Sequence, residues 1–534
     1  MVYAFTLPTT SPLAFQSFIA SPTHPSLPQA ASTARHALRL ALKAHKRLPP
    51  GSRQDAHLPT VLSALTEYIP FLFAIVRGLH GRSASGVLNT SGAAEVPQSG
   101  DEIEIVLRAE IESAWKPTLS TSSGISIKPV ATHSTGPGRA RGGRLSGRGI
   151  DFEVAFTLTT LGYVLSRLAR VCVVESLYAA TTPTSEQRAV AIQTATKNLL
   201  QASSVHGLLA SSPALTAATS STVPDINAST QSALASLALA EATLLAVLKD
   251  DAYITACIQA RNPNDREWMV RAPEIPKVRA LLFARLCVRA AEYAEQAAAG
   301  LSAAGTGAGT AGRLDEEITR YAGALGRVAR ARACRFFGID AELAGKVGEG
   351  IAWLRAANTP LGRRNVGVSS LAAGDETGAT TSKGGFSRLK REWTERREER
   401  KIEKDAGGSR NKKGSLDPGD DAGRGEEGNV IDMLETKWVK MNDTINTQLI
   451  PASAPLLANL PSGRDIHSPP APYKPPLLDS DQLLHMRAPP DENQDWQFGS
   501  DHDDSDEDAA PAAPNPPGGS LIEHRLRPTS TVRT

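Results

Sequence analysis

The sequence predicts an all-α protein, built as a solenoid of antiparallel helical hairpins. After residue 150, apolar residues recur every three or four positions over long stretches, which is the spacing of one helix face. Short turns containing Pro, Asn or Gly separate these stretches, so neighbouring helices should pack side by side. The strand–helix alternation of a parallel sheet is absent, and no repeat of fixed length supports a regular tetratricopeptide array.

The chain begins with an extended segment and continues with helices. Residues 1–30 hold five prolines, which exclude a helix, and apolar anchors such as Phe5 and Phe15. The helix that starts near residue 150 carries an apolar stripe from Val154 to Cys172, in alternating steps of four and three. The other predicted helices cover 32–47, 59–79, 186–210, 229–260, 275–301, 314–337, 340–357 and 430–449.

Two stretches of low apolar content interrupt the helices, at about 81–149 and 358–428. We expect both to be low-complexity insertions into one domain. The first encloses a short helical island at 103–115 and a mobile run rich in Gly and Arg at 135–149. The second encloses a helix at 386–404 with eight Lys/Arg and five Asp/Glu, which is charged on nearly all sides.

Two interpretations of the Pro-rich segment 451–476 are open. Its overlapping P-x-x-P pairs fit a partner of the SH3 type. The favoured interpretation is a strap that returns along the helices, because Leu456, Leu460 and Tyr473 would otherwise be left in water. The sequence thus predicts that this strap is part of the helical domain.

The end of the chain differs in composition from the rest. Residues 491–508 hold nine Asp/Glu and no Lys or Arg, a composition that cannot fold alone. We therefore predict one domain over 1–480, followed by a disordered acidic tail over 481–534.

Composition excludes several classes of protein. Of the 534 residues, 41% are hydrophobic, which is enough for a core, and the formal net charge of +2 excludes a globally basic nucleic-acid binder. The four cysteines lack metal-ligand spacing and are typical of small core residues in a reducing compartment. The N-terminus lacks the positively charged region of a signal peptide. Charges interrupt the apolar stretches 61–76 and 154–174, so neither is predicted to span a membrane. We expect a cytoplasmic protein.

No pattern of residues predicts catalysis, a cofactor or a metal site. The G-x-G-x-x-G match at 307–312 follows an Ala-rich helix instead of a strand, which indicates a flexible loop. His206 follows Ser203 and Ser204 as a nucleophile and base would, but a buried polar cluster at a helix crossing is the favoured interpretation. No pair of carboxylates stands on an apolar face. The sequence argues against an enzyme.

Basic residues leave alternatives open. The four arginines of 139–148 are able to contact RNA or anionic lipid, but aromatic residues for base stacking are absent there, so no nucleic-acid partner is expected. The arginines of 320–335 indicate either a solvated helix flank, which is favoured, or a phosphate site.

Several blocks resemble the BRO1-domain family when taken in order. The helices 152–170 and 271–294 are similar to helices of that domain, and Leu237-Ala-Leu-Ala-Glu-Ala242 lies between them. Residues 442–460 resemble the segment in which the family's chain returns along the domain surface. The order of the blocks is most similar to fungal members of the family that act in ambient-pH signalling.

The resemblance implies a curved BRO1-type solenoid with an extended N-terminal segment and a Pro-rich returning strap. It implies a non-catalytic adaptor that binds the C-terminal amphipathic helix of an ESCRT-III core subunit, together with other components of the pH-signalling pathway. Such an adaptor is recruited to the cell cortex or the endosomal membrane and supports proteolytic activation of the transcription factor PacC at alkaline pH.

The resemblance also implies partner-binding positions at Leu237, Leu244 and Leu456, with core packing as the alternative for each. The coiled-coil domain of longer family members does not follow residue 480, so its recognition of Tyr-Pro-x-Leu ligands is not expected here. The alternative function is a peripheral membrane-surface protein of endosomal trafficking. Such a protein would bind anionic lipid through the basic segments 139–148 and 386–404.

Overall fold

Helices account for most of the residues that the computed structural model describes, which confirms the predicted fold class. The structure describes residues 2–80, 103–121, 139–140, 144–177, 184–212, 223–254, 257, 277–305, 313–363 and 421–489. Contacts divide the chain into one compact unit, Met1–Ala488, and a second unit, Pro489–Thr534, of which only Pro489 is described. The helix predicted at 386–404 and the acidic run 491–508 lie outside the described residues, and the domain limits stay a prediction.

The helices pack against one another largely in chain order. In the first part α1 packs on α3 and α3 on α4, and each helix from α4 to α9 then packs on the next. Helix α10 packs on both α9 and α8. The helices are α1 (Leu27–Arg47), α2 (Ser52–Asp55), α3 (Leu58–His80), α4 (Ile150–Leu177), α5 (Ser185–Ser211), α6 (Ala228–Leu248), α7 (Lys277–Gly305), α8 (Glu316–Leu343), α9 (Val347–Asn358), α10 (Arg424–Met441), α11 (Ser453–Ala458) and α12 (Ser480–Met486).

Some helix limits differ from the predicted ones. Helix α1 begins at Leu27 instead of residue 32, because Pro28 lies in its first turn, where a helix tolerates proline. The helix predicted at 229–260 ends at Leu248, and the one predicted at 430–449 begins at Arg424 and ends at Met441. The break predicted near residue 338 lies instead at 344–346, where Gly345 has a φ of +80° that side chains rarely adopt. Helices 186–210 and 59–79 are confirmed to within one residue at each end.

Short strands of two antiparallel sheets, β3 and β4, stand where a helical island was predicted, so the prediction of a helix at 103–115 is wrong. The strands are β1 (Thr9–Thr10), β2 (Ile19–Ala20), β3 (Val106–Leu107), β4 (Glu112–Lys116), β5 (Ser120–Thr121), β6 (Arg139–Ala140), β7 (Arg144–Arg148) and β8 (Arg313–Leu314). The main sheet has the order β1-β4-β7-β6. Ser113 and Trp115 are buried while Glu112 and Lys116 are exposed, which is the period of two that a half-buried strand shows.

One buried carboxylate ties this sheet to the first helices. Glu153 of α4 accepts hydrogen bonds from Arg35 Nε at 2.8 Å, Trp115 Nε1 at 2.7 Å and the Tyr68 hydroxyl at 3.1 Å. Burial alone would raise the pKa of Glu153, but the charge and hydrogen bonds of Arg35 and the bond from Trp115 hold this pKa below its usual value. Three helices and one strand thus meet at a single charged group.

A second buried charge network lies at the other end of the helix array. Arg332 and Arg335 of α8 both form ion pairs with Glu427 of α10, and Arg335 also pairs with Asp251 after α6. All four side chains are inaccessible to solvent. The interpretation of Arg335 as part of a solvated flank or a phosphate site is therefore wrong, because its guanidinium is enclosed between two carboxylates.

Three helical segments are long and apolar enough to cross a membrane by length and composition: Ser52–Leu79, Ile150–Leu177 and Ala228–Leu248. Within their most apolar windows, 50%, 67% and 78% of the residues are buried inside the structure. Residues 152–166 of α4 are all buried, so this helix is covered on every side instead of along one narrow stripe. The high hydropathy of α4 and α6 thus accompanies burial among neighbouring elements.

Candidate partner-binding surface

The N-terminal segment crosses three helices and is itself buried. The Phe5 ring stacks on Tyr163 of α4 with centroids 4.6 Å apart, and the Tyr3 ring lies 5.2 Å from Tyr321 of α8. Arg167 and Arg170 of α4 donate hydrogen bonds to its backbone carbonyls. The two arginines that interrupt the apolar stretch of α4 therefore hold this segment in place.

A buried carboxylate of α6 lies beneath this segment. Glu241 accepts hydrogen bonds from the Tyr3 backbone N–H and from the Tyr321 hydroxyl, both at 2.9 Å. Burial raises the pKa of Glu241 to about 7, and these hydrogen bonds oppose the increase only in part. The protonation of Glu241 thus depends on pH in the neutral range.

The Pro-rich segment returns across the helices, as the sequence predicts. Arg464 N–H donates to the Arg285 carbonyl of α7 at 3.1 Å, and Arg285 Nε donates to the Ser462 carbonyl at 3.1 Å. Asp465 accepts from Arg289 Nε at 2.8 Å and from the Tyr293 hydroxyl at 2.7 Å. The hydrogen bond from Arg289 lowers the pKa of Asp465, so this anchor of the segment is an ion pair.

Beyond this anchor the segment reaches α6 and then the start of the chain. His467 lies beside the Ala242 backbone of α6, and Leu478 is buried. Ala488 N–H donates to the Thr23 carbonyl at 2.8 Å, so the described end of the segment lies against the N-terminal segment. Residues 462–488 therefore join α7, α6 and the first 25 residues of the chain.

Substituting Gly463 tests how closely this segment lies on α7. A Cβ at Gly463 would stand 2.7 Å from the backbone of Arg289, which cannot move without distorting α7. We expect Gly463→Ala to lift the segment, to cost about 1–3 kcal/mol of folding free energy and to speed amide hydrogen exchange over 456–478. Gly207→Ala is the matched control, because nothing lies within 4 Å of its Cβ. Equal exchange in both variants would contradict the close contact.

The structure separates the three leucines that the sequence singled out. Leu237 and Leu244 of α6 are each 1% exposed and pack inside the helix array. Leu456 lies in α11, which packs on α9, and its side chain is half-buried. Of the three, only Leu456 has exposed surface to offer a partner.

Several large apolar side chains that the sequence reasoning missed are exposed along the returning segment. Leu281 lies one helical turn before Arg285 of α7 and is 47% exposed, and Ile466 follows the Asp465 anchor. Leu449 is 90% exposed beside Gly348 at the start of α9. Exposed apolar side chains of this size are candidates for contact with a partner. The other exposed members along this part of the chain are Ile445, Leu477 and Leu484.

The residues around His206 form a polar cluster at a helix crossing. His206 Nδ1 lies 2.7 Å from Gln231 Oε1, and Gln231 Nε2 donates to Thr159 Oγ1 at 3.1 Å. The Ser203 and Ser204 hydroxyls donate to backbone carbonyls instead of to His206. Burial lowers the pKa of His206 to about 4, so the imidazole is neutral at physiological pH.

The described residues contain no group of three or more His, Cys, Asp or Glu side chains that could hold a metal ion. The G-x-G-x-x-G match at 307–312 lies outside the described residues. The four cysteines are free; Cys287 and Cys334 are buried, and burial raises the pKa of each thiol to about 12.

Together these features define a helical scaffold crossed by an N-terminal and a returning segment. No protein-family model matches the chain. The chain is 58% identical over 507 residues to the pH-response regulator protein palC of Emericella nidulans, and the match covers 95% of each chain. The chain therefore belongs to the family of the pH-response regulator palC. The resemblance to fungal proteins of ambient-pH signalling that the sequence suggested is confirmed.

Solved structures of BRO1 domains are similar to the chain at low sequence identity. The ALIX BRO1 CHMP4C complex has 15% identity and a TM-score of 0.47, with 89% of this chain and 96% of that chain covered. A structure described as the basis for endosomal targeting by the Bro1 domain has 13% identity and a TM-score of 0.42, covering 91% and 95%. ALIX in complex with the SIVmac239 PYKEVTEDL late domain has 15% identity and a TM-score of 0.48, covering 92% and 51%.

Proposed function

We propose that the protein is a non-catalytic adaptor of ambient-pH signalling that binds the C-terminal amphipathic helix of an ESCRT-III core subunit. The observation that carries the proposal is the 58% identity, over 95% of both chains, to a pH-response regulator. In this role the protein acts in the cytoplasm, is recruited to the cell cortex or endosomal membrane, and supports proteolytic activation of PacC at alkaline pH. The predicted domain 1–480 would bind the partner.

The surface beside the returning segment suits an amphipathic helix. Such a helix places apolar side chains into an apolar groove and leaves its polar face in water. Leu456 and Leu281 supply apolar area, while the Arg289–Asp465 ion pair fixes the segment on α7. Leu237 and Leu244 contribute indirectly, because both are buried and hold α6 in position below this surface.

Binding of a synthetic ESCRT-III C-terminal helix to the full chain tests this function. We expect Leu456→Asp and Leu281→Asp each to weaken binding about 10- to 100-fold, since each removes an apolar side chain worth about 1.5–3 kcal/mol. Val190→Asp is the matched control, because Val190 is a 63% exposed apolar residue of α5, a helix that packs on α4 and α6.

Circular dichroism of each variant separates the loss of a surface from the loss of the fold. Normal binding by both leucine variants would contradict the proposed surface. Failure of the unaltered chain to bind the helix would contradict the proposed partner.

A further inference from the structure

A second surface, remote in sequence from the returning segment, carries a concentration of positive charge. Its residues come from the second half of α1, the end of β4 and the start of β7. Trp115 of β4 pairs with Leu145 of β7, so the next residues, Lys116 and Arg144, lie side by side. We call this surface the basic patch, and it consists of Arg39, Lys43, Lys46, Arg47, Lys116 and Arg144.

The cations of the basic patch lie close enough to repel one another. Arg39 is the main cause of a lowered pKa at Lys43, with burial, Arg144 and Arg47 as further causes. The pKa of Lys46 is lowered first by desolvation and then by Lys116, which lies within hydrogen-bonding distance. Helix and sheet thus contribute to one field of positive charge.

Acidic side chains do not neutralise this field within the described ranges. None of the six cations belongs to an ion pair formed by the residues between 2 and 489 that the structure describes. The nearby acids of β4 and its approach, Glu110 and Glu112, pair with Arg148. An unneutralised set of cations attracts an anionic partner.

An exposed apolar side chain stands among these cations. Leu40 is 50% exposed and follows Arg39 on α1, and it shares a helix face with Lys43 and Arg47, about one and two turns further along. Basic residues that surround an aliphatic side chain are typical of surfaces that lie on a membrane, where the cations contact headgroups and the apolar group enters the boundary of the acyl chains.

The composition of the surface favours a membrane over nucleic acid. Single-stranded nucleic acid binds by base stacking on aromatic side chains as well as by charge. All of the large hydrophobic side chains that the described residues expose are aliphatic or Met. We propose that the basic patch, together with Leu40 at its edge, is a docking surface for the anionic headgroups of a lipid membrane. The side chains of Arg139 and Arg141 lie outside the described residues, and the proposal does not depend on them or on the ESCRT-III partner.

Flotation of the full chain with phosphatidylcholine vesicles, with and without phosphatidylserine, tests the proposal. We expect binding only to vesicles that contain phosphatidylserine. The triple variant Lys43→Glu, Lys46→Glu and Arg47→Glu should weaken this binding on the order of 100-fold, because each lost cation contributes about a factor of five. Leu40→Ser should weaken it without any change in charge.

Two controls decide what the result means. The variant Lys197→Glu, Lys437→Glu and Lys440→Glu makes the same change in net charge at exposed sites outside the basic patch, and should bind as the unaltered chain does. Equal losses in both triple variants, normal binding by the basic-patch variant, or no binding by the unaltered chain would each overturn the proposal. Binding of polyglutamate or of an RNA oligonucleotide that requires the basic patch but not Leu40 would overturn it as well, because the partner would then be an acidic chain and not a membrane.

Discussion

Replacing Glu427 with alanine is expected to lower the free energy of unfolding by about 3–5 kcal/mol. Glu427 lies between Arg332 and Arg335, and all three side chains are inaccessible to solvent. Removing it breaks the buried ion pairs that Glu427 forms with both arginines, while Asp251 continues to pair with Arg335. The loss of a carboxylate from a buried network of charges is costly because water does not reach the site to replace it.

Denaturant unfolding measures this effect, and Glu295→Ala provides the matched control. Glu295 also forms an ion pair with an arginine of α8, Arg330, but both side chains of that pair are partly exposed. Water replaces such a partner, so the control should lose at most about 1 kcal/mol. Similar losses of unfolding free energy in the two variants would show that burial does not govern how much the network contributes to stability.

Replacing Glu241 with glutamine is expected to stabilise the protein at about pH 8, by about 3 kcal/mol, and to have little effect at about pH 4.5. The pKa of Glu241 is about 7 in the folded chain against an ordinary value of 4.5. Between these two values the folded protein retains a proton that the unfolded chain has lost, so stability falls as the pH rises. Well above pH 7 the folded protein has lost this proton as well, and Glu241 lowers the stability no further. A glutamine keeps an oxygen to accept from Tyr3 and Tyr321 and does not ionise.

The difference in unfolding free energy between the variant and the unaltered chain, measured at each pH, isolates the contribution of Glu241. Carboxylates with a lowered pKa, such as Glu153 and Glu427, act in the opposite direction, because their contribution is lost as the pH falls. They are present in both proteins, so their effects cancel in the difference. Glu186→Gln, at an exposed position of α5, is the control and should change stability little at either pH. A glutamine variant of Glu241 whose stability difference does not vary with pH would contradict the raised pKa.

The helices were predictable because each shows its own period in consecutive residues. The strap was predictable for a different reason, since its leucines and Tyr473 needed a surface to cover them. The sheet was missed because its strands are only two to five residues long, and two of them, β6 and β7, lie in a run rich in Gly and Arg. Strand pairing over such short lengths depends on partners that are distant in sequence, as Thr10 and Trp115 are.

The candidate surface was predictable only in part. Helix α6 is apolar nearly all round, so its own pattern cannot tell a leucine that faces a partner from one that faces α5 or α7. The sequence therefore could not show that Leu237 and Leu244 are buried, as the structure finds them. The buried charges left no local signal either, because Arg335 and Glu427 are 92 residues apart and each is ordinary in its own neighbourhood.

The path of the N-terminal segment has a consequence for how the chain acquires its structure during synthesis. Tyr3 is made 238 residues before Glu241, its hydrogen-bonding partner, and earlier still than Tyr321. Residues 2–7 are therefore synthesised long before α8, and they lack part of their packing surface until that helix has formed. Contacts of such long range slow folding and leave apolar groups exposed in the meantime. Before α4 is made, Val2, Phe5 and Leu7 would lie in water, where a chaperone is able to bind them.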